Sequence, residues 1–128
     1  MKDKDLIIKM IKQKEKLMLL IELLDREYEL LIKNRSIELL KNQKRITKVL
    51  EELEKEKKTI KELINSIKLD DKKYELIKTL ESLERKCWIK ALRNKLLVEE
   101  LKRGNEEILE VFKRNFDMAK GKVFSKLL

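Results

Sequence analysis

Residues 37–67 read IELLKNQKRITKVLEELEKEKKTIKELINSI, with Leu39, Ile46, Leu50, Leu53, Ile60, Ile64 and Ile67 falling in alternating steps of three and four once Gln43 and Lys57 are counted in. That alternation is the seam of a coiled-coil helix, polar only at those two slots. The run Glu51-Glu-Leu-Glu-Lys-Glu-Lys-Lys58 supplies the outer face, with Glu–Lys pairs four apart that suit a solvated helix surface. Such a helix needs apolar cover along its full length, so the chain on either side of it must be read as a source of neighbours.

Upstream, residues 5–33 repeat the spacing with Met10, Leu17, Ile21, Leu24, Tyr28 and Leu31, broken by Lys14. Leu6, Ile7, Ile11, Leu20 and Ile32 widen this stripe beyond a two-position seam, which calls for more than one neighbouring helix. Four polar residues, 33–36, mark the first turn, where Asn34 or Ser36 could cap the helix that follows. Downstream, Lys68-Leu-Asp-Asp-Lys72 makes the second turn, with Asp70 or Asp71 as N-cap of a third helix beginning near Lys72. Its register is Ile77, Leu80, Glu84, Cys87, Ala91, Asn94, Val98, Leu101, Asn105, Ile108 and Phe112. Trp88 stands beside that seam as a packing residue, and Cys87 sits in it as a small buried hydrophobe.

The expected fold is therefore all-α: an antiparallel three-helix bundle of long, coiled-coil-like helices. Residues 1–117 form its single domain and 118–128 a short C-terminal tail. At about 1.5 Å per residue the first two helices each span roughly 45 Å, and the third retraces the second by about residue 103. Gly104 falls there, where glycine costs about 1 kcal/mol of helix stability relative to alanine. On a straight-helix reading the third helix is the longest and overhangs the other two. Its apolar face then has nothing of this chain beside it, and an exposed apolar face is a partner site. The expected partner-binding residues are Asn94, Val98, Leu101, Asn105, Ile108, Leu109, Val111, Phe112 and Phe116, with a homodimer or a bend at Gly104 as the other ways to cover them.

Composition narrows the functional classes. The 128 residues include no proline, two glycines and 45% charged side chains, a backbone with few interruptions. The single cysteine excludes an internal disulfide and fits a cytoplasmic setting. The longest charge-free runs, 17–21 and 63–67, are five residues, far short of a membrane span, and no signal-peptide-like apolar stretch follows Met1. The net charge of +9 is mostly interleaved along the helices. One exception is Arg85, Lys86, Lys90, Arg93 and Lys95, which run without an intervening acid and form a candidate patch for an anionic partner. Without histidine there is no histidine-based triad or metal site. Gly121-Lys122 is no phosphate loop, since Phe116 replaces its first glycine and Val123 its magnesium-binding hydroxyl. No enzyme activity, cofactor, metal or small-molecule substrate is expected.

Two stretches resemble the FlgN family of flagellar export chaperones, which are all-helical cytosolic proteins of about this size. One is Leu23-Leu-Asp-Arg-Glu-Tyr-Glu-Leu-Leu31 followed by Asn34-Arg-Ser-Ile-Glu-Leu-Leu40 and then Lys44 and Ile46 through Leu53. The other is Leu101-Lys-Arg-Gly-Asn105-Glu-Glu-Ile-Leu109, with Asn94 as an earlier asparagine of the same kind. The resemblance implies a cytosolic type III export chaperone. Its partners would be the amphipathic C-terminal helices of hook-associated (hook–filament junction) proteins, held so that they do not associate early. Recognition would be of the helix-in-groove kind. A structural coiled-coil subunit of an export or stalk assembly is the competing reading. A basic nucleic-acid binder using residues 85–95 is a third, disfavoured because Trp88 is the only aromatic there to stack on a base.

Overall fold

The computed structural model of the chain describes residues 2–101, 106–124 and 127, with the backbone alone at 122, and every regular element among them is helical. Three long helices, α1 (Lys2–Lys33), α2 (Ser36–Ser66) and α3 (Asp71–Leu101), are followed by a shorter α4 (Glu106–Met118) and one π-helical turn, Ala119–Val123.

The helix ends follow from local chemistry. Asp3 and Asp5 lie in the first turn of α1 and Lys33 in its last, each sign matched to the helix dipole. Asn34 takes the left-handed conformation (φ 54°); its N–H donates to Leu31 O at 3.2 Å while Arg35 N–H donates to Leu30 O at 3.1 Å. This crossed pair is a Schellman ending, so Asn34 closes α1 rather than capping α2. The N-cap of α2 is Arg35, which gives no side-chain cap bond, and Ser36 is already inside the helix. At the second turn the N-cap is Asp70: its Oδ1 accepts from Lys73 N–H at 3.0 Å.

Contacts between elements give their directions. Lys9–Glu56, Lys16–Glu52 and Leu23–Asn42 join the start of α1 to the end of α2 and the reverse, so these helices run oppositely. Asp3–Lys73, Leu17–Cys87 and Asp25–Lys90 rise together, so α3 runs along α1. Lys44–Glu107 and Thr47–Asn115 also rise together, so α4 lies along α2.

This last placement changes the expected architecture. The third helix is described as far as Leu101, a length like those of α1 and α2, and Glu106–Met118 pack along α2 as a fourth element, α4, where the straight-helix reading has them unpartnered. Ile108, Val111 and Phe112 are consequently buried by this chain. Ala119, Val123 and Leu127 are buried as well, so the segment set apart as a tail, 118–128, contributes to the core. Gly104 and Asn105 lie outside the described residues. The physical reason is the width of the α2 stripe. Asn42, Gln43, Val49 and Leu50 are buried together, which gives α2 one flank for α1 and another for α4.

The core falls into two apolar clusters. The larger runs from Leu6 to Leu24 on α1 with Ile46–Ile64 of α2 and Ile77–Ala91 of α3; the smaller joins Leu30, Leu31, Leu39 and Ile108. Between them in every long helix stands a buried polar residue: Glu27 on α1, Asn42 and Gln43 on α2, and Asn94 on α3.

Candidate functional site

The polar layer joins two seam positions that the sequence left non-apolar, Gln43 and Asn94, to Glu27, Asn42 and Asn115 from outside the seams as read. Asn94 Nδ2 donates to Glu27 Oε1 and to Leu24 O, both at 2.9 Å. Asn115 of α4 donates to Gln43 O at 3.0 Å, and its Oδ1 accepts from the Thr47 hydroxyl at 2.6 Å. Burial raises the Glu27 carboxyl to about 7, against the hydrogen bond from Asn94, the nearby Gln43 amide and the Arg93 charge. Gln43 itself is fully buried, yet neither of its amide atoms reaches a partner in hydrogen-bond geometry. A narrow gap with room for about one water molecule lies beside this layer, lined by Glu27, Asn115 and apolar side chains that include Leu50 and Phe112. That space is too small for an organic ligand.

A second feature lies directly outside. Tyr28 of α1 and Ile89, Leu92, Arg93, Leu96, Leu97 and Glu100 of α3 line an open groove of about 460 Å³. Ile89 and Leu96, seven residues apart and so two turns apart on one face, are 65% and 64% exposed. Ile32, one turn beyond Tyr28, is 49% exposed. Ile37 is more exposed still, but Ile89 and Leu96 share one stripe beside a groove.

Arg93 joins groove to core. Its guanidinium lies 4.2 Å over the Tyr28 ring, Nη2 donates to Asp25 Oδ1 at 3.2 Å, and Nε donates to Asn94 Oδ1 at 3.1 Å. Lys90 donates to the same Asp25 oxygen at 2.7 Å. Burial pushes Asp25 upward, but the hydrogen bonds and charges of Lys90 and Arg93 outweigh it and hold the carboxyl below its usual value.

The residues singled out from sequence are thus divided. Asn94 is fully buried, Val98 and Leu101 are half-buried, and Val98 packs on the smaller cluster. Asn105 is outside the described residues. Ile108, Val111 and Phe112 face inward, and Phe116 stacks on Trp88 with ring centroids 5.2 Å apart. Among the described members of that set Leu109 is the exposed one, at 39%. The basic patch is also divided: Lys90 and Arg93 are taken up by Asp25, and Lys95 lies over the Phe116 ring with Glu99 at 3.8 Å. Arg85 and Lys86 remain exposed. Seam reasoning misses the groove because Ile89, Leu92 and Leu96 fall off the seam register, although their own 3/4 spacing is visible in the sequence.

Among the described residues no group of three or more acidic or cysteine side chains could hold a metal ion, and no helix is long and apolar enough to cross a membrane. No protein-family profile matches the chain, and no curated protein or solved structure is similar to it.

Proposed function

We propose that this chain is a helix-binding chaperone of the flagellar type III export kind, similar to the FlgN family, working in the cytoplasm. Its clients would be hook-associated proteins, whose amphipathic helical termini it would hold and keep from associating early. The single observation that carries the reading is the exposed ridge Ile89–Leu96 over a groove walled by Tyr28 and Leu92. An amphipathic helix laid there would cover that ridge with its own apolar stripe, the helix-in-groove mode. The contact therefore lies on the outer face of α1 and α3 rather than on the α4 residues that the straight-helix reading favours.

Calorimetric titration with synthetic C-terminal helices of hook-associated proteins tests this. The native chain should bind at least one of them. The double variant Ile89→Asp/Leu96→Asp should keep the native melting temperature, because both side chains are outside the core, and should lose that binding. An interface anchor commonly carries about 2 kcal/mol, so the loss should be easily measured. No binding by the native chain, or equal binding by the variant, would remove the reading.

A structural coiled-coil subunit is the second reading, favoured by one observation: Ile8, Ile11, Met18 and Leu19 also leave α1 with exposed apolar side chains. It predicts a stable homodimer or a constitutive partner, which sedimentation at micromolar concentration separates from a monomeric chaperone.

A further inference from the structure

We propose that α4 and the turn Ala119–Val123 form a latch that opens as one unit while α1, α2 and α3 stay packed, and that ionisation of Glu27 releases it. This device is independent of helix binding in the α1–α3 groove.

The weak boundary of the molecule lies under the latch. The narrow gap beside the polar layer has Phe112, Phe116 and Ala119 on one side and Leu24, Ile46 and Ala91 of the long helices on the other. Side chains facing such a gap lose part of their packing attraction. Gln43 stands at the same boundary. Its carbonyl accepts from Asn115 of α4, but its buried side-chain amide makes no hydrogen bond of good geometry and gains partners when water enters. The long helices are joined more firmly, since α1 packs along both α2 and α3 and the larger apolar cluster spans all three. Lifting the latch brings water to Glu27, whereas parting two long helices would break most of that cluster as well.

Glu27 is the only ionisable group lining the gap among the described residues, and it is 3% exposed. Towards it α2 presents the Gln43 amide and α4 presents Asn115, both neutral. The charged Lys44 and Arg45 of α2, Lys113 and Arg114 of α4 and Lys120 of the turn are exposed. From α3, Asn94 donates to Glu27. Arg93 and Lys90 of the same helix are engaged with Asp25 of α1. The Arg93 charge favours the ionised carboxyl, and burial outweighs it. An ionised Glu27 is thus a buried anion with no cation in contact, and it is hydrated when the latch lifts. Closed, the carboxyl titrates at about 7; open, it titrates near the ordinary 4.5. The open state binds fewer protons between those values. Its population therefore rises about tenfold per pH unit from about 4.5 to about 7 and then levels off.

Amide hydrogen exchange on the full chain is the test, read as protection factors so that the intrinsic pH dependence of exchange cancels. Amides 110–118 of α4 should share one opening equilibrium and be protected about tenfold less, or weaker still, than amides 46–57 of α2. Between about pH 5 and about pH 8 their protection should fall about 50- to 100-fold. Lys57 and Glu84 lie under the terminal turn and also change surroundings on opening. The share of Glu27 is therefore the part of the fall that disappears in Glu27→Gln, and it should be most of it. Equal protection of α4 and α2 would overturn the latch. A weaker α4 with the same pH dependence in the native chain and in Glu27→Gln would overturn the role of Glu27. Should that variant fail to fold, carbon-13 titration of the Glu27 carboxyl in the native chain decides: a midpoint near 7 supports its role, and one near 4.5 overturns it.

Discussion

Glu27 makes no ion pair among the described residues and is only 3% exposed, an arrangement that favours the protonated form. The native state therefore binds that proton up to about pH 7, whereas the unfolded chain releases it near 4.5. Where the native state holds the extra proton, stability falls as pH rises. The contribution of Glu27 is complete below pH 4.5 and is lost as pH climbs through about 7, a change of roughly 3 kcal/mol across the window. Glu84 is pushed the same way by burial, so the informative quantity is a difference between proteins. Glu27→Gln should keep the acceptor for Asn94, carry no charge at any pH, and melt at a higher temperature than the native chain at about pH 8. Its melting temperature should also fall less between about pH 5 and pH 8. Parallel melting curves across that range would show that the carboxyl is hydrated and the polar layer open.

Among the elements, α4 decides whether this is a three-helix or a four-helix protein. Leu50 and Phe112 line the same narrow gap from α2 and α4, with relative exposures of 1% and 9%. An aspartate at either site places an unpaired charge in that core. Leu50→Asp and Phe112→Asp should each cost at least about 3 kcal/mol, read as a shift of the urea midpoint. A native midpoint for Phe112→Asp alongside a collapsed one for Leu50→Asp would mean that α4 contributes no core. The first two helices and the start of the third are legible in the sequence to within a few residues, because 3/4 spacing persists over about thirty residues in each; the far end of the third is not, since the register continues through Phe112. Four of the nine buried polar groups among the described residues are legible too, since Gln43, Lys57, Glu84 and Asn94 all occupy seam slots in the periodic pattern. The fourth packing flank is not. The apolar residues of α4 continue the α3 register in phase, so a reversal between them leaves no trace in periodicity. The seam as read misses Gln13 and Glu27, because it takes Lys14, Ile21 and Tyr28 as the slots between Met10, Leu17, Leu24 and Leu31, whereas the buried slots are one residue earlier, at Gln13, Leu20 and Glu27.

On the scale of the whole molecule, one side chain ties three segments together. Lys57 of α2 is 2% exposed; its ammonium donates at 2.7 Å to Glu84 Oε1 of α3 and at 2.7 Å to Val123 O in the terminal π turn. Burial pushes Lys57 down and Glu84 up, each toward its neutral form, while their contact opposes both shifts. A buried pair of this kind does little net stabilising, because desolvating two charges offsets most of their attraction. Breaking it is another matter. Lys57→Met leaves the Glu84 carboxyl buried without its cation and Val123 O without its donor, and should cost about 3–5 kcal/mol. Lys57→Met/Glu84→Leu removes the orphaned charge and should recover most of that loss, falling short by about 1 kcal/mol for the carbonyl still unmet. Trp88, edge-on to Phe124 with ring centroids 6.2 Å apart, reports the terminal turn from across the core. Its emission should shift to longer wavelength in the single variant as that turn lifts, and return toward the native value in the double. A double variant no more stable than the single one would assign the closure of the molecule to the Val123 hydrogen bond. The ion pair would then be incidental to it.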